Sequence, residues 1–216
     1  ILGNSAAATV ETLNLGNAGA INVQSGGSII TLDADVARSL ILNVGNIANL
    51  SGGGSLLIRG DNLGATPGAG VANLFAPNLA NGFIGGGTGN GSNTISIRVD
   101  TVADTSAAGL GTGFATYSAL GGIRPLAASE MAPGLFRAVS TNSNVAANST
   151  YNYGSLTINS LTVNGASAFN AIRNESILTI NSGGVVVTNA SGTDFTGGLI
   201  QSGGNQLIVH QLDASN

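Results

Sequence analysis

Short segments in which apolar and polar residues alternate recur along the chain, each bounded by Gly, Asn or Ser. Examples are Leu13–Leu15, Ile21–Val23, Leu40–Val44, Leu56–Ile58, Ile95–Val99, Leu156–Ile158, Leu161–Val163, Leu178–Ile180, Val185–Val187 and Leu207–Val209. Alternation places every second side chain on one face, so each segment predicts a strand. No stretch carries the 3.6-residue period of an amphipathic helix. The nearest candidate runs from Leu126 to Met131, and Pro125 and Pro133 confine it to a turn or two.

The last third repeats internally. Leu156, Leu178 and Ile200 are spaced by 22 and 22, as are Val163, Val185 and Leu207, and Gly165, Val187 and Val209. Three columns share one period, and each unit carries two short strands. A repeat of roughly 20 to 25 residues suits one turn of a three-sided parallel β-helix, whose coils pair about 4.8 Å apart. Towards the N-terminus the spacing is looser: Leu13 to Leu32 and Ile21 to Leu40 are both 19. The expected fold is all-β, a right-handed parallel β-helix (solenoid) forming a single segment over residues 1–216. Leu156, Ile158, Val163, Leu178, Ile180, Val185, Val187, Ile200, Leu207 and Val209 are expected to line its interior. Residues 60–93 and 103–137 break the pattern and are expected to leave the stack as two long loop excursions. Phe75, Phe83, Phe114, Tyr117 and Phe136 are expected to pin them against the outer wall.

Composition narrows the function. Apolar residues make up 43% of the 216, which argues against disorder, yet only 7% are charged, for a net charge of −4. All six basic residues are arginine. Nucleic-acid binding needs a basic face with aromatics, and this chain has neither. Without cysteine there is no disulfide framework and no thiolate metal site. No apolar run reaches the roughly 18 residues of a membrane-spanning helix. A start at Ile1, with neither Lys nor Cys anywhere, reads as a mature or excised portion of a longer extracellular precursor. With so few ionisable groups, most are expected at the surface, and stability is expected to change little between about pH 5 and 9.

Four segments carry a resemblance: LLIRGDNLG (Leu56 to Gly64), FIGGGTGNGSNTISI (Phe83 to Ile97), GFATYSALGGIRPLAASE (Gly113 to Glu130) and FTGGLIQSGGNQLIVHQ (Phe195 to Gln211). In this order they resemble stretches of the large bacterial surface proteins with autotransporter-associated β-strand repeats. The third is the most specific, with its aromatic, ATY and GGIRPL. Residues 1 to 55 match only in style. The resemblance implies a secreted, passenger-like right-handed β-helix that is one portion of a longer chain, and it brings no catalytic residues with it.

Candidate chemistry is sparse. His210 is the only histidine, and with Leu207 and Val209 inward it should point outward. Asp33 with Asp35, and Asp100 with Asp104, are the acid pairs to weigh for catalysis or calcium; the first reads better as a turn cap. In GGGTGNGSNTISI, Gly91 stands where a calcium-binding nonapeptide would need its Asp. No Gly-x-Ser-x-Gly elbow and no Cys/His pair supplies a nucleophile. No catalytic, cofactor-binding or metal-ligating residue is therefore assigned. Phe114, Tyr117 and Arg124 are the candidate ligand contacts on the excursions, with Glu130 the carboxylate expected to pair with Arg124.

The function that follows is a non-catalytic structural protein of the bacterial cell surface or extracellular matrix, self-associating or fibre-forming. Its partners are then further copies, or further repeats of the same chain. The alternative is an adhesin that binds cell-surface glycan through its loops. Exposed loop aromatics near amide or acidic groups favour the adhesin, and buried ones the scaffold.

Overall fold

A computed structural model describes residues 2–3, 10–16, 19–48, 53–78, 82–87, 89–134, 140–147, 154–164, 172–188, 197–204 and 206–212. The first strands are β1 (Leu2–Gly3), β2 (Val10–Asn14), β3 (Ala20–Ile21), β4 (Gly27–Asp33), β5 (Ser39–Asn43) and β6 (Asn46–Ile47). Next come β7 (Ser55–Gly60), β8 (Val71–Phe75), β9 (Phe83–Ile84), β10 (Ile97–Asp104), β11 (Gly113–Ser118) and β12 (Gly122–Pro125). A 3₁₀ turn at Ala128–Glu130 precedes β13 (Ala132–Pro133), β14 (Asn144–Ala147), β15 (Leu156–Val163), β16 (Ile172–Val187), β17 (Gly197–Ser202) and β18 (Ile208–Gln211). That turn is the one helical element among the described residues. It falls where Pro125 and Pro133 leave room for no more. The chain is all-β with curled sheets, and it divides into two compact units. One is Ile1–Phe83 with Asp100–Leu126; the other is Ile84–Val99 with Ala127–Asn216.

The larger sheet has the strand order β1-β4-β7-β10-β11-β12-β8-β5-β2. β1 with β4, β4 with β7, β7 with β10, β12 with β8, β8 with β5 and β5 with β2 pair in parallel, whereas β11 with β12 is antiparallel, so the sheet is mixed. Leu13, Leu42 and Leu74 form one row across β2, β5 and β8. Leu32, Leu56 and Ile58 pack in one core with Leu40, Leu42, Ala72, Leu74, Ala103, Ala115 and Ile123. The 19-residue spacing read from the sequence does not set this register. Leu13 faces Leu42 rather than Leu32, and Ile21 faces Ile47 rather than Leu40. Turns of unequal length between the strands decide the offset, and alternation within a strand carries no record of them.

The stretches expected as loop excursions are also partly strand. Residues 60–93 contain β8 and β9, and residues 103–137 contain β11, β12 and β13. Their Gly- and Ala-rich composition weakens the alternation signal, but alanines suit a narrow interior: Ala72, Ala103 and Ala115 are fully buried. Gly122 opens β12 at φ +77°, and a β-carbon there would collide with the Leu74 carbonyl. The aromatics follow the same correction. Phe83 and Tyr117 pack against the core rather than an outer wall, and Phe114 is fully buried. Phe136 lies outside the described residues.

In the second unit β13, β14, β15, β16 and β17 pair in that order, and β18 also pairs with β16. Every pairing is parallel. Leu156, Leu178 and Ile200 stand side by side, as the 22-residue period predicts. The second column does not follow that period. Leu161 faces Val185 and then Val209, while Val163 faces Val187 and then Gln211, each two residues further on. The register shifts between Ile158 and Ser160, where Asn159 meets the three residues Asn181, Ser182 and Gly183. Gly183 takes φ +78°, and any β-carbon there would strike the Gln206 carbonyl. Pairs of short strands expected as separate are thus fused into β15 and β16 across this bulge.

Ile158, Leu161, Val163, Leu178, Ile180, Val185 and Val187 form the core here, with Leu156 and Ile200 packed on it. Leu207 and Val209 are exceptions, 41% and 57% exposed. Leu207 is out of the column by the bulge, and Val209 ends its row among the described residues. Burying Leu161 fully contributes about 1.5–3 kcal/mol. Leu161→Ala should therefore cost about 2–5 kcal/mol in urea unfolding, whereas Val209→Ala, in the same row, should change stability by less than about 0.5 kcal/mol. Equal costs for the two would contradict this placement of the core.

Candidate functional site

The hairpin β11–β12 carries all three residues singled out as ligand contacts. Thr116 faces Arg124 and Tyr117 faces Ile123 across the antiparallel pair. Phe114 is wholly buried and so offers no surface to a ligand. Its alternation partners in β11, Thr116 and Ser118, are buried too, so this face of the strand is covered. Arg124 is half-buried, and its Nη1 donates to the Pro125 carbonyl at 3.1 Å. Tyr117 is different. It is half-buried and lines an open cleft of about 330 Å³ with Asn14, Gly16, Asn43, Val44, Phe75 and Pro77.

Strand register builds that cleft. Asn14, Asn43 and Phe75 are the last residues of β2, β5 and β8, and they stand in one row. Backbone bonds hold the row's end: Leu15 N donates to the Asn43 carbonyl and Val44 N to the Phe75 carbonyl, both at 2.9 Å. The Asn14 side-chain oxygen accepts from Gly16 N at 2.9 Å, which leaves its NH₂ for other partners. Burial pushes the Tyr117 hydroxyl above the ordinary tyrosine value, outweighing a backbone hydrogen bond with Ala76 that acts in the opposite direction. Alternation within each segment could not reveal that Asn14, Asn43 and Phe75 meet, because the intervening turns set the pairing.

The acids serve as backbone anchors. Asp35 Oδ1 accepts from Ala37 N at 2.9 Å, so it caps a turn. Asp104 is buried and takes the N–H groups of Ser106 and Gly111, both at 2.9 Å. Glu130, 1% exposed, accepts from Gly91 N at 2.8 Å and from Ala127 N at 3.0 Å. Gly91 is therefore tied by a carboxylate from elsewhere in the chain, a contact that spacing along the chain does not reveal. No group of three or more His, Cys, Asp or Glu side chains comes together among the described residues.

His210 corrects the expected orientation. It is buried, and its Nε2 donates to the Val99 carbonyl at 2.7 Å. In β18 it continues the row of Thr162 and Val186, which is covered, whereas Val209 continues the open-ended row of Leu161 and Val185. Together with Arg98, Asp104 and Glu130 it shows that charged and titrating side chains are not confined to the surface.

A second, shallower groove of about 450 Å³ in the other unit is lined by Thr141, Ser155, Leu156, Thr157, Ile177, Thr179 and Gln201. Its row of Thr157, Thr179 and Gln201 is closed upon itself, Gln201 Nε2 donating to Thr179 Oγ1 at 3.1 Å. Comparison with protein-family models, with curated proteins and with solved structures returns no match.

Because burial raises the Tyr117 pKa, the unfolded chain releases that proton at a lower pH than the folded one. Its contribution to stability is complete below about pH 10 and is lost as pH rises through the folded value. Phenolate absorbance, taken as wild type minus Tyr117→Phe, should titrate with a midpoint above about 10; a midpoint at or below the free-tyrosine value would contradict the burial.

Proposed function

We propose that this chain is a non-catalytic structural protein of a bacterial surface or extracellular matrix, and that it associates with itself. In this reading the stacked parallel strands are coils of a right-handed parallel β-helix, as in the surface proteins whose segments it resembles. One observation carries the association: the outermost strands present apolar side chains to solvent. Leu199 is 52% exposed on β17 and Val209 is exposed on β18, while Val10 and Leu13 are exposed on β2 at the edge of its sheet. Natural sheet edges are usually guarded by charge, proline or a covering element, because unpaired strand backbone recruits other strands. The exposed side chains of β17 and β18 include no charged residue. With 7% charged residues overall, repulsion between copies is weak.

The non-catalytic part of the reading rests on how the acids are used. Asp35, Asp104 and Glu130 are engaged by backbone N–H groups and hold turns and loops in place. Release of reducing sugar or of an unsaturated product from a polyuronide would overturn it.

Sedimentation velocity from low to high micromolar concentration, paired with electron microscopy, tests the association. Average mass should rise with concentration and filaments should form, and the double variant Leu199→Lys, Val209→Lys should remain monomeric. A wild-type monomer at high micromolar concentration without filaments would refute the proposal.

A further inference from the structure

The cleft at the ends of β2, β5 and β8 has a lining that a scaffold does not require. Its apolar part is Phe75, Tyr117, Pro77 and Val44, and its polar part is the pair of carboxamides of Asn14 and Asn43. None of its lining residues is charged. Small-molecule sites characteristically combine apolar and aromatic walls with a few placed polar groups, in volumes of about 300–1,000 Å³, and this cleft of about 330 Å³ meets both criteria.

The two carboxamides are neighbours across the β2–β5 ladder, and each offers both an acceptor oxygen and a two-hydrogen donor. Asn43 is half-buried, and its carboxamide makes no hydrogen bond among the described residues. This half-buried amide, without a hydrogen-bond partner among the described residues, sits beside two aromatic rings. The phenol and the phenyl supply flat apolar faces, and the hydrogen bond between the Tyr117 hydroxyl and the Ala76 backbone helps to fix one of them.

We propose that this cleft binds a neutral saccharide, with one pyranose unit against Tyr117 and Phe75 and its hydroxyl groups on the carboxamides of Asn43 and Asn14. A pyranose has that dual character: a face of C–H groups and a rim of hydroxyls that both donate and accept. Carboxamides match such hydroxyls, whereas a uronate or a phosphorylated sugar calls for a cation that the lining lacks. This inference goes beyond the structural role above and does not depend on it, since the cleft is formed within one unit of one chain.

The test is an array of neutral oligosaccharides (cello-, chito-, xylo- and manno-series) and an oligogalacturonate, probed with the full 216-residue chain and followed by titration calorimetry on any hits. At least one neutral series should bind with a dissociation constant in the micromolar to low-millimolar range, and the oligogalacturonate should not. Tyr117→Ala and Asn43→Ala should each weaken binding at least about tenfold, while Tyr117→Phe, which keeps the ring, should retain affinity within about threefold. Should Tyr117→Ala fail to fold, Asn43→Ala and Phe75→Leu, both at half-buried positions, carry the same test. No binding to any neutral series would overturn the proposal, as would preference for the uronate or binding that survives both Asn43→Ala and Phe75→Leu. Sedimentation reads the self-association separately, so either idea can fail alone.

Discussion

The parallel ladder is the constraint on which the rest of this structure depends. In the parallel pairs, backbone N–H and C=O groups are satisfied on a strand distant in the chain, 22 residues away for Leu156 and Leu178 and 29 for Val10 and Ser39, at a spacing of about 4.8 Å. Side chains at matching positions are therefore neighbours in rows, and a row accepts only what can sit beside its like. Leu, Ile and Val do so at a gain; two like charges at that spacing repel by about 1 kcal/mol even at the dielectric of water. The sparse charge of the sequence follows from this rule. Where a charge does enter a row, its neighbours answer it: Arg59 stands between Thr31 and Asp104, and its Nε donates to Thr31 Oγ1 at 2.9 Å.

The same rule makes asparagine useful inside. In the second unit Asn144 and Asn159 are buried, and Asn159 Nδ2 donates to Asn144 Oδ1 at 2.9 Å. Ser160 Oγ donates to that same oxygen, and Asn144 Nδ2 reaches the Ile95 carbonyl at 2.8 Å. Asn159 Nδ2 also donates to the Ile84 carbonyl at 3.0 Å, so the 84–99 segment is fastened to the strand stack through carboxamides. Such a network is costly to leave half-made and specific when complete, since each member fixes its neighbour's geometry.

A ladder also has ends. Rows that bury leucine and valine in mid-stack leave them open at the outermost strand, which is why Val209 is exposed while Leu161 and Val185 in its row are not. The exposed edges and the carboxamide–aromatic cleft are thus products of one geometry. The edges are where rows reach the outermost of the described strands. The cleft is where three strands end together at Asn14, Asn43 and Phe75.

Most strand positions were legible from alternation alone, and the row of Leu156, Leu178 and Ile200 from its 22-residue period, because both signals are written into local spacing. Limiting helix to one turn near Ala128–Glu130 needed only two prolines. The strands hidden in 60–93 and 103–137 were missed because alanine and glycine fill a narrow interior without looking apolar. Register itself was decided elsewhere. Gly183 and its neighbours add two residues to one face of the repeat, moving Val163 opposite Val187 and Val209 opposite Val185. His210 is buried because its row is covered, and Tyr117 and Asn43 line one cleft because the turns between strands set the pairing. Sequence determines which way a residue points along its own strand. What it points at depends on the lengths of the turns between strands and on whether another strand lies beyond, and those are properties of the assembled stack.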